Sequence, residues 1–78
     1  MTVTVKLHAA LRKFAPPGGG DRVQLQLAEG ARVADAIARL GIPANFTGMV
    51  FLDGERSGLA AKLGDGREVS LFPPLGGG

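Results

Sequence analysis

Two short segments of this chain alternate, residue by residue, between apolar and polar side chains. No other feature constrains the fold as tightly. In residues 2–8, Val3, Val5 and Leu7 fall on one side and Thr2, Thr4, Lys6 and His8 on the other. Val23, Leu25 and Leu27 repeat the pattern around Gln24 and Gln26. Period-two alternation with β-branched residues reads as a strand with one buried face. Between the two segments, Pro16-Pro17-Gly18-Gly19-Gly20 suits neither a helix nor a strand interior. The pair therefore reads as an antiparallel hairpin with a long connection, and its apolar face needs a cover.

One helix can supply it. Val33, Ala36, Ile37 and Leu40 recur at i, i+3, i+4 and i+7, the spacing of a single helical face. Asp35 and Arg39 are spaced to pair on the outer side. Gly41 fits the left-handed position that ends a helix, and Pro43 prevents continuation. The start is poorly marked: Gly30-Ala31-Arg32 offers no Ser, Thr, Asp or Asn as a cap. Further on, the apolar run Met49-Val50-Phe51-Leu52 reads as a buried strand. Asp53-Gly54 is a type I′ hairpin signal, with Glu55-Arg56 as a short return strand. Leu59 and Leu63 read as a helical turn. Residues 68–72 read as the last strand, with Val69 and Leu71 facing the helix and Ser70 and Phe72 facing away. Pro73-Pro74 ends it, because proline cannot donate to the ladder. A right-handed crossover would lay the helix over Val3, Val5, Leu7, Val23, Leu25, Leu27, Val69 and Leu71. The class is α+β: a mixed four- to five-stranded sheet with one main helix and one open face.

With 78 residues and no cysteine, the domain must rest on packing alone. The same absence excludes a thiol intermediate and a thiolate metal site. Nine basic residues face seven acidic ones, and the only adjacent basic pair is Arg12-Lys13. No basic stripe of the kind nucleic-acid binders carry is present. No apolar run approaches the roughly 20 residues of a membrane span, and no signal-peptide pattern opens the chain. Nucleic acid and membrane are thus not expected as partners, and a cytoplasmic location is expected.

Reactive constellations are scarce. The single histidine, His8, lies on the polar side of the first strand and reads as an exposed surface residue. Asp53, Glu55 and Asp65 lack calcium-loop spacing, and turn chemistry accounts for both aspartates. Gly18-Gly19-Gly20 lacks the Gly-Lys-Ser/Thr sequel of a phosphate loop. What remains is the tail, Pro73-Pro74-Leu75-Gly76-Gly77-Gly78. Thirteen residues are glycine, and a second triplet sits at 18–20, so the terminal triplet alone carries little. Its placement carries more. The prolines favour an extended path straight off a strand. Leu75 is an apolar handle that a partner could grip. Gly76 and Gly77 have no side chains and could thread a narrow channel. Six residues reach on the order of 20 Å when extended, enough to deliver the Gly78 carboxylate into another protein's active site. A carboxylate is a poor electrophile; adenylation by ATP would give it a leaving group that a sulfur nucleophile could displace.

At this point the sequence resembles the MoaD/ThiS family of β-grasp, ubiquitin-like sulfur carriers. Val5-Lys6-Leu7-His8-Ala9-Ala10-Leu11-Arg12-Lys13-Phe14 is similar to the family's first strand and Ala-x-Leu-Arg segment. Residues 33–40 match its helix. Gly64-Asp65-Gly66-Arg67-Glu68-Val69 resembles its Asp-Gly-Asp-Glu-Val stretch. Leu71-Phe72-Pro73-Pro74-Leu75-Gly76-Gly77 resembles its Phe-Pro-Pro-Val-x-Gly-Gly tail. Arg32 stands where Ser or Thr is usual, and Arg67 where a second acid is usual. The extra glycine leaves open which two align with the family's terminal pair.

The resemblance implies a β-grasp domain over 1–72 and an extended tail over 73–78. It implies no bound cofactor. Gly78 would be adenylated with ATP by a ubiquitin-activating-type adenylyltransferase and converted to a thiocarboxylate. The Pro-Pro tail is closest to the small subunit of molybdopterin synthase, which implies sulfur donation in molybdenum cofactor biosynthesis beside the large subunit. Such a chain is not catalytic alone; it is a sulfur-donating subunit or co-substrate. Carriers for thiamine, another metabolite or tRNA thiolation remain open, as do a ubiquitin-like protein modifier and an interaction domain with an inert tail. Phe72, Pro73, Pro74 and Leu75 are the expected partner contacts, with Lys6 and His8 beside Phe72 and Arg12 carried over from the family segment.

Overall fold

A computed structural model describes residues 1–18 and 20–74. Five strands form one sheet: β1 (Thr2–Leu7), β2 (Arg22–Gln26), β3 (Val50–Leu52), β4 (Glu55–Ser57) and β5 (Glu68–Leu71), in the order β2-β1-β5-β3-β4. The helix α1 (Val33–Arg39) lies between β2 and β3 in the chain. β1 pairs antiparallel with β2 and parallel with β5, and β3 pairs antiparallel with both β4 and β5. The first and last strands are thus neighbours at the middle of the sheet.

The alternation decides the layers. Val3, Val5, Leu7, Val69 and Leu71 are fully buried, and Val23 and Leu27 nearly so. They meet Val33, Ala36 and Ile37 from the helix, together with Leu11, Ile42, Val50 and Leu63. Leu25, expected in this core, is only half-buried on the edge strand. The Asp53-Gly54 turn has the positive φ angles its type demands, 50° and 88°. Asp53 also fastens that turn to the start of β5. Its carboxylate accepts the Glu68 N–H at 3.0 Å and an Arg67 Nη1–H at 2.7 Å. Those two contacts, the backbone one first, stabilise the carboxylate and hold its pKa below the usual carboxylate range. Asp65 does the same for β1 by accepting the Thr2 N–H at 2.7 Å.

Several expectations need correction. Leu59 lies in a tight turn, closed by the Ala61 N–H donating to the Gly58 carbonyl at 3.2 Å, but Leu63 lies beyond it and shares no helical turn with Leu59. Residues 59–63 run past the helix start, where Arg32 and Lys62 form an isolated bridge. The Ala61 and Leu59 carbonyls accept the Val33 and Ala34 N–H groups at 3.0 Å each. A neighbouring segment therefore satisfies donors that a capping side chain would otherwise serve. Asp35 does not bridge to Arg39; its carboxylate turns back to accept the Arg32 N–H at 2.7 Å. Only Val50 of the apolar run at 49–52 is buried, and Phe51 faces the open side. Two 3-10 helices, Ala9–Phe14 and Ala44–Phe46, were not foreseen. Among the described residues, no helix is long and apolar enough to cross a membrane.

Candidate functional site: the open face at the tail

Strand direction gathers the site. β1 and β5 run parallel, so both finish at the same end of the sheet, and antiparallel β3 begins there. His8, Phe72 and Met49 therefore sit side by side. His8 N–H donates to the Leu71 carbonyl at 3.1 Å, and Phe72 N–H to the Met49 carbonyl at 3.0 Å. Behind them, the register lines up Arg22, Lys6, Ser70, Phe51 and Arg56 in one row across all five strands. Side chains two apart share a face, so Lys6 and His8, and Ser70 and Phe72, belong to the same open surface.

Aromatic rings hold its centre. The His8 and Phe72 rings stack with centroids 4.0 Å apart and planes 9° off parallel. Phe51 meets Phe72 edge-on at 5.6 Å. His8 is consequently half-buried rather than exposed, and its Nε2 is buried without a hydrogen-bond partner. Burial and then the Lys6 charge push its pKa below 6.5; Arg12 adds to this, while Asp21 and Glu68 oppose it. The imidazole is neutral at pH 7, the form that stacks on an apolar ring without stripping water from a charge.

Charge surrounds the rings. Lys6, Arg22 and Arg56 share the row, and Arg22 reaches Glu68 at 3.3 Å in an exposed ion pair. Arg12 is exposed on the 3-10 helix that follows His8. Phe14 and Phe46 form a second aromatic pair at 6.1 Å, with the Lys13 Nζ 5.0 Å from Phe46 and 5.5 Å from Phe14. Among the described residues no cluster of three or more His, Cys, Asp or Glu could hold a metal.

Of the residues expected at the site, Lys6, His8 and Phe72 come together. Phe72 also packs against its neighbours, so it is half-buried; Pro73 is half-buried and Pro74 exposed. Leu75, Gly76, Gly77 and Gly78 lie outside the described residues. Phe51 and Met49 were missed because a continuous apolar run hides which of its members face outward.

No curated protein sequence matches the chain. Among solved structures it is similar to SAMP1 from Haloferax volcanii, at 27% identity over 100% of both chains with a TM-score of 0.75. It is similar to a Pyrococcus furiosus protein assigned as subunit 1 of molybdopterin converting factor. That match has 26% identity over 95% of this chain and 98% of the other, with a TM-score of 0.71. A chain of the Amycolatopsis orientalis BexX/CysO complex matches at 26% identity over 97% and 99%, with a TM-score of 0.60. The ThiS family model matches residues 5–78. The chain therefore belongs to the ThiS family, within the ThiS/MoaD-like group of sulfur carriers and modifiers that share the ubiquitin-like β-grasp fold.

Proposed function

We propose that the protein is a sulfur carrier whose Gly78 carboxylate is the working group, serving molybdopterin formation as the small subunit of the synthase. The carboxylate attacks the α-phosphate of ATP in an adenylyltransferase of the ubiquitin-activating type. Pyrophosphate leaves and an acyl-adenylate forms. Sulfide then attacks the acyl carbon, AMP departs with the bonding pair, and a thiocarboxylate remains. The large synthase subunit accepts the sulfur. The partner-facing surface is the aromatic and basic open face: Phe72, Phe51 and His8 at its centre, Lys6, Arg12, Arg22 and Arg56 around them. Charges at such a rim steer association with an acidic partner.

The observation that carries this reading is the family match running through the tail to residue 78, on a domain whose β5 delivers that tail from the middle of the sheet. The Phe-Pro-Pro sequence and the likeness to the P. furiosus protein favour the molybdopterin pathway. A second reading has an observation of its own: the likeness to SAMP1, a small archaeal modifier protein, favours attachment of Gly78 to a lysine of a target.

Intact mass spectrometry decides between them. Incubation with an activating enzyme, ATP and sulfide should exchange one oxygen for sulfur at the terminus. An unchanged mass, with an enzyme that loads its own carrier in parallel, would overturn the carrier reading. Isopeptide-linked adducts would favour the modifier.

A further inference from the structure

Gly48 stands against the chain as it departs. Continuing the β3–β5 register past Val50 opposite Leu71 brings Gly48 level with Pro73. The Gly48 N–H donates to the Phe72 carbonyl at 2.7 Å. A β-carbon at position 48 would lie 2.7 Å from the Pro73 carbonyl oxygen, 2.8 Å from its carbonyl carbon and 2.8 Å from the Pro74 α-carbon. All three are main-chain atoms, so no rotamer change relieves the overlap. The two prolines stiffen that main chain by fixing φ. Gly48 does not adopt a positive φ. Its requirement for glycine is one of space, not of backbone conformation. Among the described glycines, only Gly48 would bring a β-carbon into a forbidden approach.

We propose that Gly48 is a positioning residue for the tail. Its missing side chain leaves the gap through which Pro73 and Pro74 cross the end of β3, and so sets the direction in which the chain leaves the domain at Pro74. The inference rests on the reading that Gly78 is the reacting end. It adds that the domain aims the tail instead of merely tethering it. Gly48→Ala would turn the prolines aside while leaving Lys6, Phe51 and the core in place. Docking through the open face persists, and delivery of the terminus suffers.

The test compares Gly48→Ala in the native background and in a chain carrying Pro73→Gly and Pro74→Gly, each against its own parent. With activating enzyme and ATP, Gly48→Ala should lower kcat for adenylation about tenfold to a hundredfold, since small misplacements of a reacting group have effects of that order. KM for the carrier should stay within about twofold, because uniform binding is retained. With two glycines the chain can bend around the new methyl, so the loss should shrink to under about threefold. Equal losses in both backgrounds, a loss confined to KM, or no loss would overturn the proposal.

A second measurement does not depend on the chemistry. In the full wild-type chain, nuclear Overhauser contacts should link the Gly48 α-protons to Pro74 and vanish in Gly48→Ala, while the amide shifts of Val3, Val5 and Val69 hold. Absence of those contacts in the wild type would overturn the proposal by itself. Failure of wild-type adenylation, with the contacts present, would instead count against the carrier reading alone.

Discussion

Replacing Phe72 tests whether its ring is committed to the fold or held free for a partner. A fully buried Phe cut to Ala costs about 3–5 kcal/mol. Phe72 is half-buried, so about 2 kcal/mol is expected from Phe72→Ala. A domain of 78 residues has a total stability of roughly 4–12 kcal/mol. At about 4–8 °C per kcal/mol for a domain this small, Tm should fall by roughly 8–16 °C. The loss has a separable part. The parallel stack on His8 at 4.0 Å should carry about 0.5–1.5 kcal/mol beyond area burial. A cycle of Phe72→Ala, His8→Ala and the double variant, read by urea denaturation, isolates it. The coupling should be near 1 kcal/mol. The edge contact to Phe51 does not contaminate that figure, since Phe51 is present in every member of the cycle. Additivity within about 0.3 kcal/mol, the behaviour of independent sites, would show that the two rings do not stabilise each other. The stack would then be a coincidence of geometry, and the Phe72 ring would be available whole to a partner.

Two further predictions concern the same end of the sheet. Ala9 has a φ of 52°, where a side chain is disfavoured by about 1–2 kcal/mol. Ala9→Gly relieves that strain but loosens the unfolded chain, so a net gain of about 0.5–1 kcal/mol in chemical denaturation is expected; a loss would show that Ala9 is not strained. His8 binds its proton more weakly in the folded chain than the 6.5 of the unfolded one, because burial and then Lys6 disfavour the imidazolium. The unfolded state therefore takes up more protons below 6.5. Its contribution to stability is full above that pH, declines as pH falls toward the folded value, and then levels. His8→Phe keeps a ring on Phe72 and should abolish that decline in a pH series of melts; an unchanged pH profile would mean that His8 does not titrate across folding.

What was legible in the sequence was whatever a local signal dictates. The alternation in β1 and β2, the apolar stripe of α1 and the positive-φ demand of Asp53-Gly54 each act within a few residues, and each element formed as read. The start of α1 was not legible, because its donors are satisfied from Leu59 and Ala61 across the chain. Leu59 and Leu63 share helical spacing, yet two residues four apart do not distinguish a helical turn from a tight turn at 59–60 that runs on into a bridge at Lys62. The 3-10 helix at Ala9–Phe14 has no strong period and begins at a backbone angle that alanine seldom takes. The site was legible in part. Lys6, His8 and Phe72 follow from facing, but the stack between two of them depends on parallel pairing of strands at opposite ends of the sequence. Gly48 gave no local sign, because its constraint is a main chain that arrives from elsewhere.

The pairing of the first strand with the last also governs when the domain can exist. Val5 lies against Val69, and Leu7 against Leu71, so the centre of the sheet stays open until β5 has been made. Closing so long a loop comes before the contacts that reward it. An unfinished chain holds only two separate hairpins, β1–β2 and β3–β4, and a short helix, and two strands alone are marginal in water. The strand that completes the core is the one that runs directly into the tail. Assembly of the fold and presentation of its exit are therefore one event, and a partner that reads the open face meets a tail only on a chain already folded.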